Sequence, residues 1–212
     1  MRSGSTTLAE IFQSQNQIIC SEPFNIHTNV GLKYLTHWGR EGFESAFDLI
    51  LENYKGIKHL YSFTTYDQTK YMKSKCNTIF LYRKNLLDAA LSLEVASETN
   101  VWMTSQKNSE YLKQKINVNI EKIKFIISHL QRHLKNLDEN CYKISYEELY
   151  YSDSFKIIQE IFKFTDCPIV NEFFIHELLN KKNKINNRPW SEIIENWDQI
   201  ASTNFGNLFF MQ

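Results

Sequence analysis

The chain lacks an excess of either charge: 24 basic and 24 acidic residues over 212 positions give a formal net charge of zero. A general nucleic-acid binder is usually basic, so that class is disfavoured, and an anion site has to be assembled from local cations. No apolar run approaches the roughly 20 residues of a membrane span, and no secretory signal pattern is visible. The expectation is a cytoplasmic protein without stable membrane insertion. Cysteine is sparse and scattered, at Cys20, Cys76, Cys141 and Cys167, with no C-x-x-C pair and no metal-ligand grouping. That spacing suits buried apolar thiols in a reducing compartment. The histidines show no zinc spacing. His129 and His133 lie four apart on a helix without a carboxylate or cysteine partner nearby, which reads as a solvated face. Repeats and low-complexity linkers are absent. So is the Walker A pattern: there is no Gly-Lys pair and no second glycine near the first.

What is there is an aromatic-rich chain, 14% Phe, Trp and Tyr, long enough for one α/β domain over residues 1–212 with a sizeable core. Helix-like and strand-like stretches alternate, which predicts a three-layer α/β fold: a central parallel sheet with helices on both faces. Helices are expected at about 5–14, 41–53, 66–74, 86–98, 154–164, 171–181 and 190–201, and a long one from about 109. The stripe Ile116, Ile120, Ile123, Ile127, Leu130, Leu134, Leu137 marks the apolar face of that long helix. Strands are expected at 17–21, 57–63, 77–82 and 141–145.

The opening residues are the most informative. Arg2-Ser3-Gly4-Ser5-Thr6-Thr7-Leu8 leads straight into a helix. Unpaired N–H groups and the helix dipole favour an anion there. Gly4 lets the backbone close around phosphate-like oxygens, Ser5, Thr6 and Thr7 add hydroxyls, and Arg2 adds a fixed cationic fork. An ordinary Ser/Thr helix cap is the competing reading.

In an open parallel sheet, ligands bind beyond the carboxyl ends of the strands. Glu22 follows the first strand. Two readings stand: a base whose pKa is raised by partial burial, or a solvated acid before a proline turn. Arg83 ends the strand at 77–82, and Ser92 lies more than two helical turns on. They can grip a phosphate, or they can be a basic strand end and a surface serine. Tyr146 follows the last strand, where it stacks near a ligand or opens a helix as a core aromatic. Lys181 to Arg188 is the most basic segment, a loop that either covers a polyanion, with Lys184 and Arg188, or is solvated.

Together these pieces resemble the sulfotransferases that use 3′-phosphoadenosine 5′-phosphosulfate. The opening segment is similar to that family's 5′-phosphosulfate loop. Leu81-Tyr82-Arg83-Lys84-Asn85-Leu86-Leu87-Asp88-Ala89-Ala90-Leu91-Ser92-Leu93 is similar to its 3′-phosphate motif. Tyr146-Glu147-Glu148-Leu149 matches its Y-E-[DE]-L element, and Arg188-Pro189-Trp190 onward resembles the C-terminal element of bacterial, glycan-acting members. The resemblance implies a phosphate-loop-like sulfotransferase architecture. It also implies transfer of a sulfuryl group to a hydroxyl, of a carbohydrate or glycolipid, with no metal. Arg2, Ser3, Gly4, Ser5, Thr6 and Thr7 would hold the phosphosulfate. Arg83 and Ser92 would bind the 3′-phosphate, with Lys84 competing for that role, and Lys184 and Arg188 would cover the nucleotide. Glu22 would take the acceptor's proton as its oxygen attacks sulfur in line. Arg2 and the helix N-terminus would stabilise charge on the departing phosphate.

Three departures from the family pattern stand out. Arg2 replaces the usual lysine, and arginine is a poorer proton donor. No strict motif fixes the base, so His27 and His59 compete with Glu22. The family places an apolar strand before the loop, whereas here Met1 stands where that strand should end: either the true start lies upstream, or the sheet lacks its central strand and neighbouring edges are unpaired. Two alternatives follow: a nucleotide-binding pseudoenzyme or remnant, and a nucleotide kinase, which the absent Gly-Lys pair disfavours.

Overall fold

The computed structural model describes residues 4–60, 64–101, 115–135, 141–180 and 188–205. The fold is mixed α/β and mostly helical. Its elements run α1 (Ser5–Ser14), β1 (Ile19–Ser21), α2 (Asn29–Glu41), α3 (Phe43–Asn53), β2 (Gly56–Lys58), α4 (Tyr66–Lys75), β3 (Ile79–Tyr82) and α5 (Leu86–Thr99). They continue with α6 (Ile120–Lys135), β4 (Tyr142–Ser145), α7 (Tyr146–Tyr151), α8 (Ser154–Phe164), α9 (Glu172–Asn180), α10 (Trp190–Ile193) and α11 (Trp197–Ser202).

Among the described residues the strands form two separate two-stranded parallel sheets, β1 with β2 and β3 with β4. Parallel pairing needs a crossover, supplied by α2 and α3 in the first sheet and by α5 and α6 in the second. Register then decides which loops meet. Ser21 pairs with Lys58, so the residue after β1 lies beside the end of β2. Tyr82 pairs with Ser145, so Arg83 and Tyr146 leave the second sheet side by side.

Three apolar clusters hold these parts. Leu8, Ile11 and Phe12 of α1 pack with Ile144 of β4 and with Ile158, Ile161 and Phe162 of α8; the Phe12 and Phe162 rings stack at 4.6 Å. This fixes the start of α1 over the second sheet. A second cluster joins α5, α6, α10 and α11. Glu94 of α5, only 1% exposed, pairs there with Lys122 of α6 at 2.7 Å. The third cluster joins α2, α3 and β1 through Cys20, Phe24, Tyr34 and Phe47. Cys20 and Cys141 are buried as small hydrophobes, and burial pushes the Cys20 thiol up to about 11. No described helix is long and apolar enough to cross a membrane.

Several sequence expectations need correction. Helix α2 was not anticipated. Thr28 caps it by accepting from the Gly31 N–H at 2.9 Å, and a Cβ on Gly31 would sit 1.8 Å from the Asn25 carbonyl, so the approach admits only glycine. The long helix does not reach back through Ile116. That residue is extended and bridges Ile194 in parallel, its N–H donating to Ile193 O at 2.7 Å. The same bridge splits the expected helix at 190–201 into α10 and α11. Residues 109–114 and Leu137 of the anticipated long helix lie outside the described residues, as do 61–63 of the anticipated second strand.

Candidate functional site

Gly4 is the N-cap of α1 and adopts a left-handed backbone, φ 81° and ψ 10°. The turn is tight. A Cβ here would lie 2.6 Å from Tyr150 Cε2 and 3.2 Å from Tyr146 Cδ2. The Tyr150 hydroxyl donates to the Gly4 carbonyl at 3.4 Å and also reaches Thr7. Thr7 is buried, Ser5 half-buried and Thr6 exposed. No acid occupies the first turn of α1, so its amides carry an uncompensated dipole end. Arg2 and Ser3 lie outside the described residues.

Arg83 arrives beside this turn through the register of the second sheet. Its guanidinium carbon lies 4.3 Å from the centroid of the Tyr146 ring. The Tyr146 ring therefore lies under Arg83 and would meet any side chain placed at Gly4. Burial pushes the Tyr146 phenol up to about 12, against the pull of the nearby Arg83 charge. Arg83 Nη1 meets Asp88 Oδ2 at 3.2 Å, and Arg83 Nε is buried with no hydrogen-bond partner among the described residues. The other Asp88 oxygen accepts the Trp190 indole N–H at 2.6 Å. That contact brings the start of α10 to Arg83, with the half-buried Arg188 two residues ahead of it. Ser92 is four residues after Asp88 on α5 and so shares its face.

The α5 amino end itself is already filled. The Glu147 carboxylate accepts from the Lys84 N–H at 2.9 Å and the Asn85 N–H at 3.3 Å, and Asn85 caps Asp88 at 3.0 Å. Lys84 Nζ pairs with Glu148 at 3.1 Å, so it does not join Arg83 at Tyr146. Any phosphate at this strand end must be held by the Arg83 side chain.

The first sheet carries a different arrangement. Glu22, at φ 53°, accepts from Lys58 Nζ at 2.6 Å and from Asn25 Nδ2 at 2.7 Å. Burial alone would raise its pKa, but the bonds from Lys58 and Asn25 outweigh burial and hold it below 4.5. This corrects the expectation of a carboxylate raised toward neutrality. His59, next to Lys58, is packed edge-on against Phe24 at 5.7 Å and contacts the Thr64 hydroxyl at 3.1 Å. Burial lowers it to about 4, against the pull of Glu22, so it is neutral at physiological pH. His27 is exposed.

No family model matches this chain. No curated protein and no solved structure matches it either.

The anticipated residues therefore fall into two groups. Gly4, Ser5, Thr6, Thr7, Arg83, Ser92, Tyr146 and Arg188 belong to the end built on α1 and the second sheet. Glu22 and His59 belong to the first sheet. Lys184 lies outside the described residues. Sequence reasoning missed Tyr150, Asp88 and Lys58. Tyr150 stands one helical turn after Tyr146, a spacing that puts both rings on one face. Lys58 carried no such signal, because only strand register brings it to Glu22.

Proposed function

We propose that this protein binds 3′-phosphoadenosine 5′-phosphosulfate and transfers its sulfuryl group to a hydroxyl, that of a carbohydrate or glycolipid. The observation that carries this reading is that the single ring of Tyr146 underlies Arg83 and crowds the turn at Gly4. Two phosphate-seeking elements, 79 residues apart in sequence, converge on one aromatic side chain, which suits a ligand that carries two phosphates. The uncompensated α1 terminus suits the 5′ end, and the Arg83 fork suits the 3′-phosphate. In this reading the two parallel pairs are flanks of a central sheet in a three-layer fold. Arg2 and Lys184 would add cations and Ser3 a hydroxyl; all three lie outside the described residues.

Transfer needs in-line attack by the acceptor oxygen on sulfur, with the bond to the bridging oxygen breaking and its electrons leaving on the phosphate. The α1 amides and the loop hydroxyls stabilise that departing charge more than the ground state. Glu22 or the neutral His59 receives the acceptor proton. Binding without transfer, as in a pseudoenzyme, is the second reading, and one observation favours it: Lys58 and Asn25 already occupy Glu22, which makes it a weak base.

The test is calorimetry with 3′-phosphoadenosine 5′-phosphate, followed by a metal-free transfer assay against a panel of glycans. Micromolar binding is expected, with transfer from the phosphosulfate and none from ATP. Absence of binding by the intact protein would end both readings. Binding without transfer to any acceptor would select the second.

A further inference from the structure

The link from Asp88 to Trp190 behind Arg83 is the strongest feature that the proposed reaction leaves unused. Arg83 has a long side chain whose free rotamers are costly to fix. Here the ring of Tyr146 fixes the plane of the guanidinium, and Asp88 fixes one edge. The Arg83–Asp88 contact is a single one at 3.2 Å, not a bidentate pair, so it orients the cation without cancelling it. The carboxylate is shared as well. Its second oxygen takes the Trp190 indole N–H at the shorter distance of 2.6 Å, which draws negative charge away from Arg83. Asp88 is held in turn by its own amide, which donates to Asn85 Oδ1 at 3.0 Å.

We propose that Asp88 is a positioning residue: it aims the Arg83 guanidinium at the nucleotide's 3′-phosphate and couples that site to the chain around Trp190. The inference rests on the nucleotide-binding reading above. It adds that discrimination for the 3′-phosphate depends on a residue that does not touch the ligand, and that filling the Arg83 site is felt at Trp190. Because coupling is reciprocal, seating of Trp190 also strengthens hold on the 3′-phosphate.

The readout is the ratio of affinities for adenosine 3′,5′-bisphosphate and adenosine 5′-monophosphate, which isolates the 3′-phosphate. A merely structural role would lower thermal stability and leave that ratio alone. Asp88→Asn keeps the shape of the side chain and removes its charge; the ratio is expected to fall about tenfold, the effect of one charge-assisted hydrogen bond. Trp190→Phe keeps most of the packing and removes the N–H; the ratio is expected to fall about threefold. A second measurement needs no nucleotide. The Trp190 indole N–H resonance of the intact protein is expected to shift in Arg83→Ala and to move in the wild type when bisphosphate is added. An unchanged ratio in both Asp88→Asn and Trp190→Phe overturns the proposal. So does a rise in Asp88→Asn, which would make Asp88 a competitor for Arg83. A Trp190 resonance indifferent to Arg83→Ala removes the coupling. If the wild type shows no preference for the bisphosphate, the nucleotide reading itself has failed, and this inference falls with it.

Discussion

The two sheets end in opposite electrostatic states. At the end of β3 and β4, the Arg83 cation lies on a neutral ring, shares one carboxylate with an indole, and keeps a buried Nε without a partner among the described residues. At the end of β1 and β2, the charges cancel inside the protein: Glu22 is taken by Lys58 and Asn25, and His59 is kept neutral by burial. The first arrangement also pairs its cations, Arg83 with Asp88 and Lys84 with Glu148, but leaves one Arg83 donor unused among the described residues. The second has spent its attraction on itself. On the proposed reading, anion recognition belongs to the second sheet and α1, and the first sheet would supply the proton acceptor.

Removing the exposed attraction should have the largest effect. Arg83→Ala is expected to weaken binding of 3′-phosphoadenosine 5′-phosphate about 100-fold by calorimetry, the upper range for hydrogen bonds to a charged group, with some loss of thermal stability because the side chain packs on Tyr146 and pairs with Asp88. Binding within threefold of wild type would place the anion elsewhere and erase the contrast between the two ends. Gly4→Ala attacks the same end through the backbone. A Cβ 2.6 Å from the Tyr150 ring, at φ 81°, meets both a clash and a disfavoured conformation. A loss of about 2–3 kcal/mol is expected in urea unfolding, with nucleotide affinity falling too. Measured on a Tyr150→Ala background, Gly4→Ala should cost less, because the closest clash is gone and the positive φ and the 3.2 Å approach to Tyr146 remain.

The contrast also explains what was legible in the sequence. Gly4, Arg83 and Tyr146 advertise themselves through local pattern: a glycine before hydroxyls, and polar residues just after apolar strands. The bounds of α1 and α8 follow their own periodicity and agree with expectation. The misses all depend on distant partners. Ile116 is in phase with the α6 stripe, yet it bridges Ile194, 78 residues away, and this single pairing both shortens one helix and breaks another. Helix α2 is hidden by its glycines, of which Gly31 is required by contact with Asn25. The pKa of Glu22 was misjudged because Lys58 reaches it through strand register, which no local spacing records.

A pH titration probes the self-neutralised end. His59 titrates at about 4 in the folded protein and near 6.5 when unfolded. As pH falls the unfolded chain takes the proton first, so the stability is fully present above about 6.5 and is lost progressively toward 4. At pH 5 the loss is about 2 kcal/mol for two states with these pKa values. Urea midpoints between pH 8 and pH 5 should show it, and His59→Asn should flatten the slope. An equal slope in the variant would mean that His59 is hydrated, and the first sheet would no longer be the dry, neutral counterpart of the second.

The smallest effect, and the sharpest in sign, concerns Lys58. In the wild type Glu22 titrates below its ordinary 4.5, so its contribution to stability is present above that value and lost as pH falls through the depressed one. Lys58→Met removes the larger of the two bonds and leaves burial opposed by Asn25 alone. The folded pKa should then pass above 4.5, which reverses the linkage: protonated Glu22 becomes the favoured folded form, and stability falls as pH rises through that region. The cost near pH 7 should be about 1–2 kcal/mol, less than for a fully buried pair because both side chains keep some contact with water. Carboxyl carbon shifts of Glu22 followed by NMR read the pKa directly, and urea midpoints read the sign. A Glu22 that stays below 4.5 without Lys58 would show that Asn25 and the loop suffice, and that the internal ion pair is not what separates the two ends. On the proposed reading, a Glu22 raised toward neutrality is also a better base, so Lys58→Met is expected to lose stability while transfer to the acceptor is kept or quickened.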